Sequence, residues 1–203
     1  MKSDPAHARR LTAALSLLLT FAPVAALAST GPTTPTFVLA WGTYGVAAGQ
    51  FQFAPGVATD ALGNVYVADQ QNNRIQKFDR LGNLIVIMGS FGSGNGQFNA
   101  PGGIALDGAG NIYVADTGNN RIQKFNSIGT YLTQWGAFGS GNGQFSSPTG
   151  AAVDAAGNVY VADYGNHRIQ KFSSTGTFLT KWGSLGSANG QFNGPSSSVV
   201  GIT

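Results

Sequence analysis

Over residues 102–136 the apolar positions come in short blocks, GGIALD, IYVAD, RIQKF and YLTQWG, separated by GAGN, TGNN and NSIGT. The blocks are rich in β-branched and aromatic residues, and the separators are turn chemistry of Gly, Asn and Ser. No stretch has the 3.6-residue period or the length of a helix, so the unit predicts four short antiparallel strands joined by tight turns. Alternation inside the strands is poor. In RIQKF the apolar Ile122 and Phe125 fall on opposite faces, and in IYVA neither face is polar. A sheet with one face in water alternates cleanly, so these sheets are predicted to be covered on both sides.

The third block recurs. GNNRIQKF from Gly118 is written again as QNNRIQKF from Gln71 and GNHRIQKF from Gly165, each copy 47 residues after the last. An even period of that size marks a repeated structural unit. Four-stranded sheets covered on both faces by copies of themselves describe the blades of a β-propeller, each burying its faces against its neighbours. Within a unit, Asp116, Asn119 and Asn120 are expected to fold the second turn through side-chain to backbone bonds, with Gly118 supplying a positive φ. Arg121 is then placed to meet an Asp of its own or the adjacent blade, and Asp69 with Arg74 and Asp163 with Arg168 repeat the arrangement.

The segment GQFNAPGGIALDGAGNIYVADTGNNRIQKFNSIG, with its partners from Gly49 and Gly143, resembles the NHL repeat. The resemblance covers almost all of residues 37–195. It implies an all-β propeller, commonly of six blades in that family, and it leaves activity open, because NHL proteins include peptide-processing lyases, RNA-binding regulators and extracellular sensor domains. Full repeats are expected at about 49–89, 96–136 and 143–183, with a partial fourth at 190–203. TFVLAWG (residues 36–42) matches TFLTKWG (residues 177–183) and reads as a lone fourth strand, while Gly201 stands where the earlier copies have Asp60, Asp107 and Asp154. Three four-stranded blades with extra strands at each end make an incomplete ring, because propellers usually have four to eight blades. Two expectations follow: a truncated gene product, or two chains closing a six-bladed ring as a homodimer.

Residues 1–28 differ from the rest. Lys2, Arg9 and Arg10 precede an apolar run over residues 11–27, and Ala26-Leu27-Ala28 offers a small-x-small cleavage site, so the segment reads as a secretory signal. The alternative is a retained membrane anchor, against which stand Pro23 and a run short of the ~20 residues of a bilayer span. Removal leaves 175 of the 203 residues, Lys plus Arg falls from 11 to 8 and the acids from 8 to 7, so the formal charge drops from +3 to +1. A secreted or periplasmic location is expected, with no membrane attachment after cleavage. Residues 29–36, rich in Pro, Thr and Gly, read as a flexible lead-in to the propeller segment 37–203. There is no cysteine, so the fold must hold without disulfides, and thiol chemistry is excluded.

Candidate chemistry is weighed against the repeat itself. Asp60, Asp107 and Asp154, with Asp69, Asp116 and Asp163, invite a calcium ring, but an acid at the same place in every unit is explained by turn and ion-pair roles, and DGAGN lacks the acidic spacing of a calcium loop. His167 is the one histidine left after signal removal, too few for a usual zinc site. The several histidines that the family's lyases use are absent. No Ser lies in a nucleophile elbow, and GSGNG lacks the helix and Lys of a phosphate loop. Arg74, Arg121 and Arg168 with Lys77, Lys124 and Lys171 repeat as a basic set, offset by acids of the same period, so no nucleic-acid partner is expected. No cofactor is expected either.

Variation between copies is the better guide to recognition: Tyr164 and His167 stand where the other copies have Thr117 with Asn120 and Gln70 with Asn73. The sequence thus predicts an exported, non-enzymatic interaction module for a protein, peptide or glycan. The alternative is a fragment of a propeller enzyme, of lyase or lactonase type, with its catalytic residues elsewhere.

Overall fold

The structure, a computed structural model, describes residues 38–195. The signal segment 1–28, the lead-in 29–36 and the end of the partial fourth repeat, Gly201 included, lie outside the described residues. Two short parallel strands come first, β1 (Thr43–Tyr44) and β2 (Gln50–Phe51). Blade 1 is β3 (Gly56–Thr59), β4 (Val65–Asp69), β5 (Arg74–Phe78) and β6 (Leu84–Met88). Blade 2 is β7 (Pro101–Leu106), β8 (Ile112–Asp116), β9 (Arg121–Phe125) and β10 (Tyr131–Trp135). Blade 3 is β11 (Pro148–Val153), β12 (Val159–Asp163), β13 (Arg168–Phe172) and β14 (Phe178–Trp182). Each blade is a sequential antiparallel meander, and the ring is not closed.

The weak alternation has the cause the sequence suggested. Tyr66, Ala68, Ile75 and Met88 of blade 1 pack into one core with Ile104, Ile112, Val114 and Phe125 of blade 2. Tyr113, Ala115 and Ile122 of blade 2 pack in the same way on Val159, Val161 and Phe172 of blade 3. Every residue of β8, in the middle blade, is buried. Each buried Phe, Ile or Val contributes about 1.5–3 kcal/mol over its exposed state, so the blades hold one another in place.

The first strands of successive blades run in backbone contact. A Cβ on Gly103 would sit 2.7 Å from the Cα of Gly150, which leaves room for glycine alone. Pro101 and Pro148 open β7 and β11, where the missing amide costs the ladder nothing.

Three local expectations need correction. Residues 38–42 form no strand, because a fourth strand pairs with the third strand of its own blade and the described residues include none before them. Their side chains nevertheless dock in the fourth-strand position: Trp41 lies over Phe78, ring centroids 6.0 Å apart, as Trp135 lies over Phe172 at 5.9 Å. The TGNN turn is a short 3-10 helix over Thr117–Asn119, and its left-handed residue is Asn120, at φ 53°, rather than Gly118. Gly118 is required for space instead, since a Cβ there would lie 2.5 Å from the side chain of Asn99.

Candidate functional site

In a sequential antiparallel blade, the loop from second to third strand and the loop leading on to the next blade emerge at the same end. That end carries the 3-10 turns, the inter-blade loops and the variable positions named above. Its polar groups form one repeated network. Asp116 is fully buried and accepts from the Asn99 amide (2.8 Å), Asn119 Nδ2 (2.9 Å), Arg121 Nε (2.7 Å) and Gln123 Nε2 (2.9 Å). Asp69 and Asp163 accept from the same four positions, with Arg74 and Arg168 again at 2.7 Å. A carboxylate offers about four acceptor sites. Four protein donors fall on that of Asp116, three of them on Oδ2, so the carboxylate is committed to the loop and to its own strand.

The guanidinium completes the device. Arg121 donates onward to the carbonyls of Ser93 (2.7 Å), Gly94 (2.8 Å) and Gln97 (2.9 Å), and Asn119 to that of Gly92 (2.8 Å). The loop entering blade 2 is therefore fastened by the Asp, Asn, Arg and Gln of that blade. Asn119 ties its own turn to the Asp116 side chain and reaches out to this loop as well.

At the opposite end, Asp107 accepts from the amides of Ala109 and Asn111, from Asn111 Nδ2 and from the Tyr113 hydroxyl at 2.9 Å. Burial pushes its acidity down, but these donors outweigh it and hold the carboxyl below the usual carboxylate range. Burial, aided by the charge and hydrogen bond of Asp60, pushes the Tyr66 phenol up to about 12. Lys77, Lys124 and Lys171 lie over the rings of Tyr66, Tyr113 and Tyr160 at 4.8 to 4.9 Å. Lys77 also donates to the Ser127 carbonyl and Lys124 to that of Ser174, both at 3.1 Å, so these two lysines bridge blades.

The variable positions divide. Asn73, Asn120 and His167 are all left-handed and all face the next blade: Asn73 Oδ1 accepts from the Ala100 amide and Asn120 Oδ1 from that of Ser147, both at 2.8 Å. His167 Nδ1 accepts from the Gly194 amide at 3.0 Å. Thr117 Oγ1 donates to the Pro148 carbonyl at 2.7 Å. Gln70 is half-buried and Tyr164 is exposed.

One set of residues was not legible as a site. Each inter-blade loop is pinched by a parallel bridge onto a Phe, of which Phe98 and Phe145 are wholly buried. The bridging partner points away: Tyr44, Phe91, Phe138 and Leu185 are between 62 and 79% exposed. Both Phe residues of FGSGNGQF look equally apolar in sequence. The available clue is that the second is Phe in all four loops, whereas the first varies between Tyr, Phe and Leu.

The NHL repeat family matches residues 51–78, 98–125 and 145–172, the three spans from loop Phe to third-strand Phe. The chain is an NHL-repeat protein. Among curated proteins none matches it. Similar solved structures include a streptogramin B lyase (TM-score 0.51, 19% identity, 66% of this chain and 41% of that one). An inactive virginiamycin B lyase from Staphylococcus aureus with quinupristin is also similar (0.52, 16%, 67% and 42%). A third is Kuenenia stuttgartiensis hydrazine synthase (0.52, 12%, 74% and 41%). The NHL chain thus spans about two fifths of the length of these structures, and at such identities the likeness is one of fold. Among its described residues no three His, Cys, Asp or Glu side chains gather as a metal site.

Proposed function

We propose that this NHL protein is an exported binding module, and that the end bearing the inter-blade loops takes a protein, peptide or glycan ligand. The observation that carries the reading is the row of exposed Tyr44, Phe91, Phe138 and Leu185, one per loop. The buried Asp and Arg of each blade are spent on fastening these loops, which carry no charge of their own and hold their apolar tips outward. Aromatic side chains on a fixed frame supply contact area at little entropic cost, to peptide side chains and sugar faces alike. Export is read from residues 1–28, as a leader of signal type.

The test is a glycan array and a peptide-phage library screened in parallel with the protein and its Phe91→Ser/Phe138→Ser variant. Retention by the wild type, lost in the variant at unchanged Tm, supports the reading. Equal retention by both, or none by either, sinks it. Turnover of quinupristin, the compound in one of the lyase structures above, would replace it with an enzymatic one.

A further inference from the structure

Call the side of a blade turned to its predecessor the leading face, and the other the trailing face. Inside the chain, trailing faces meet leading faces twice, between blades 1 and 2 and between blades 2 and 3. Among the described residues one of each is left over. On the leading face of blade 1, Val57 is 60% exposed where its counterpart Ile104 is 6%. There Phe51, Val57, Val65 and Val67 line an apolar groove of about 320 Å³. On the trailing face of blade 3, Trp182 is 42% exposed where its counterparts Trp135 and Met88 are half-buried and buried, and Ile169 is half-buried where Ile75 and Ile122 are fully covered. Lys171 donates to no carbonyl of a following blade among the described residues, unlike Lys77 and Lys124.

We propose that these two faces bind each other between two copies of the chain, head to tail, closing a six-bladed ring with two identical seams. What covers each kind of face is already on display at the two internal interfaces, and it is a blade of this repeat. Three blades per chain close at two copies within the usual four to eight blades.

The departures from the repeat fall where such a seam puts them. Internally, Asn73 faces Ala100 and Asn120 faces Ser147 across the junction. At the seam the equivalent pair is His167 of one copy and Phe53 of the other, both larger than their counterparts, with Phe53 left-handed at φ 58° and largely exposed.

Both ends carry a version of the same connection, residues 39–53 and 182–194, so a seam keeps one version of each part. Hydrogen bonding decides which. Strand β14 is laddered to β13 whereas residues 38–42 have no strand partner among the described residues, so Trp182 displaces Trp41 from its place over Phe78 and Gly82. The loop of residues 43–53 is fastened by Asp69, Asn72, Arg74 and Gln76 of its own blade. The loop of residues 185–194, with Pro195 after it, is tied to blade 3 among the described residues by two bonds, the Gly194 amide to His167 and Thr149 Oγ1 to the Pro195 carbonyl, so it is the weaker-held version and yields. Lys171 then reaches the carbonyl of Arg80, the residue equivalent to Ser127 and Ser174.

Size-exclusion chromatography with light scattering on the purified protein tests this, using Val57→Glu and Trp182→Glu, both exposed in the single chain so that circular dichroism is expected to stay unchanged. Wild type is expected at twice the chain mass and each variant at the chain mass. An equimolar mixture of the two variants is expected to recover dimer, because one seam of the pair then joins two intact faces. A wild-type monomer, an open-ended series of larger species, or dimers that both variants retain would each overturn the proposal.

Discussion

At the residue scale, each buried Asp is paired with an Arg of its own blade. Asp116 and Arg121 form a buried pair, so removing one partner strands the other. Asp116→Ala is expected to lower the unfolding free energy by about 3–5 kcal/mol in urea titrations, whereas Asn126→Ala, at an exposed turn, should cost well under half of that. Trp135 shows the reverse case: its indole Nε1 is buried without a partner, and Met88 holds the same position in blade 1. Trp135→Phe is therefore expected to leave Tm unchanged or slightly raised, since it removes an unsatisfied donor. Tyr66 sets an alkaline limit. Its folded-state pKa, raised to about 12, means that its contribution is fully present below the unfolded value near 10 and lost as pH rises from there toward 12. Unfolding free energies measured from pH 8 to 12 should fall less steeply in Tyr66→Phe than in wild type.

At the element scale, the fourth strands of blades 2 and 3 differ in how well they serve the network. Gln134 on β10 lies across from Gln123 and accepts from Arg121 at 2.6 Å. The equivalent residue on β14 is Lys181, which offers no acceptor to Arg168 and lies across from Gln170. Lys181→Gln is expected to stabilise blade 3 by about 0.5–1.5 kcal/mol, the net value of one hydrogen bond, read as a higher urea midpoint with an unchanged slope. The same comparison marks what was legible. The strand blocks and turns could be placed from composition, because β-branched runs and Gly-Asn turns act over a few residues. Residues 38–42 were misread as a strand for a related reason: their pattern is that of a fourth strand, but a ladder needs a neighbour that lies elsewhere in the chain.

At the scale of the whole molecule, stability is shared between neighbours and is greatest where a blade has two of them. In the Trp182→Glu variant, held as a single chain, hydrogen exchange is expected to be slowest in β8 and β9 of blade 2 and faster in β3 and β14, which face solvent on one side. Equal protection across all three blades would contradict the nearest-neighbour picture. The candidate site belongs to this scale too. Four loop tips 47 residues apart form one surface feature because the blades repeat about a common axis, and no short window of sequence contains more than one of them.

The sequence by itself determined the repeat, its four strands, the NHL fold and the matching of Arg74, Arg121 and Arg168 to an Asp of their own or the adjacent blade, because these follow from local pattern and from period. Only the tertiary structure decided which Phe of each loop is buried, that Asn73, Asn120 and His167 serve the next blade, and which faces stay open. Those outcomes depend on what lies across a junction from each residue, and that neighbour is supplied by chain folded from 27 or more residues away.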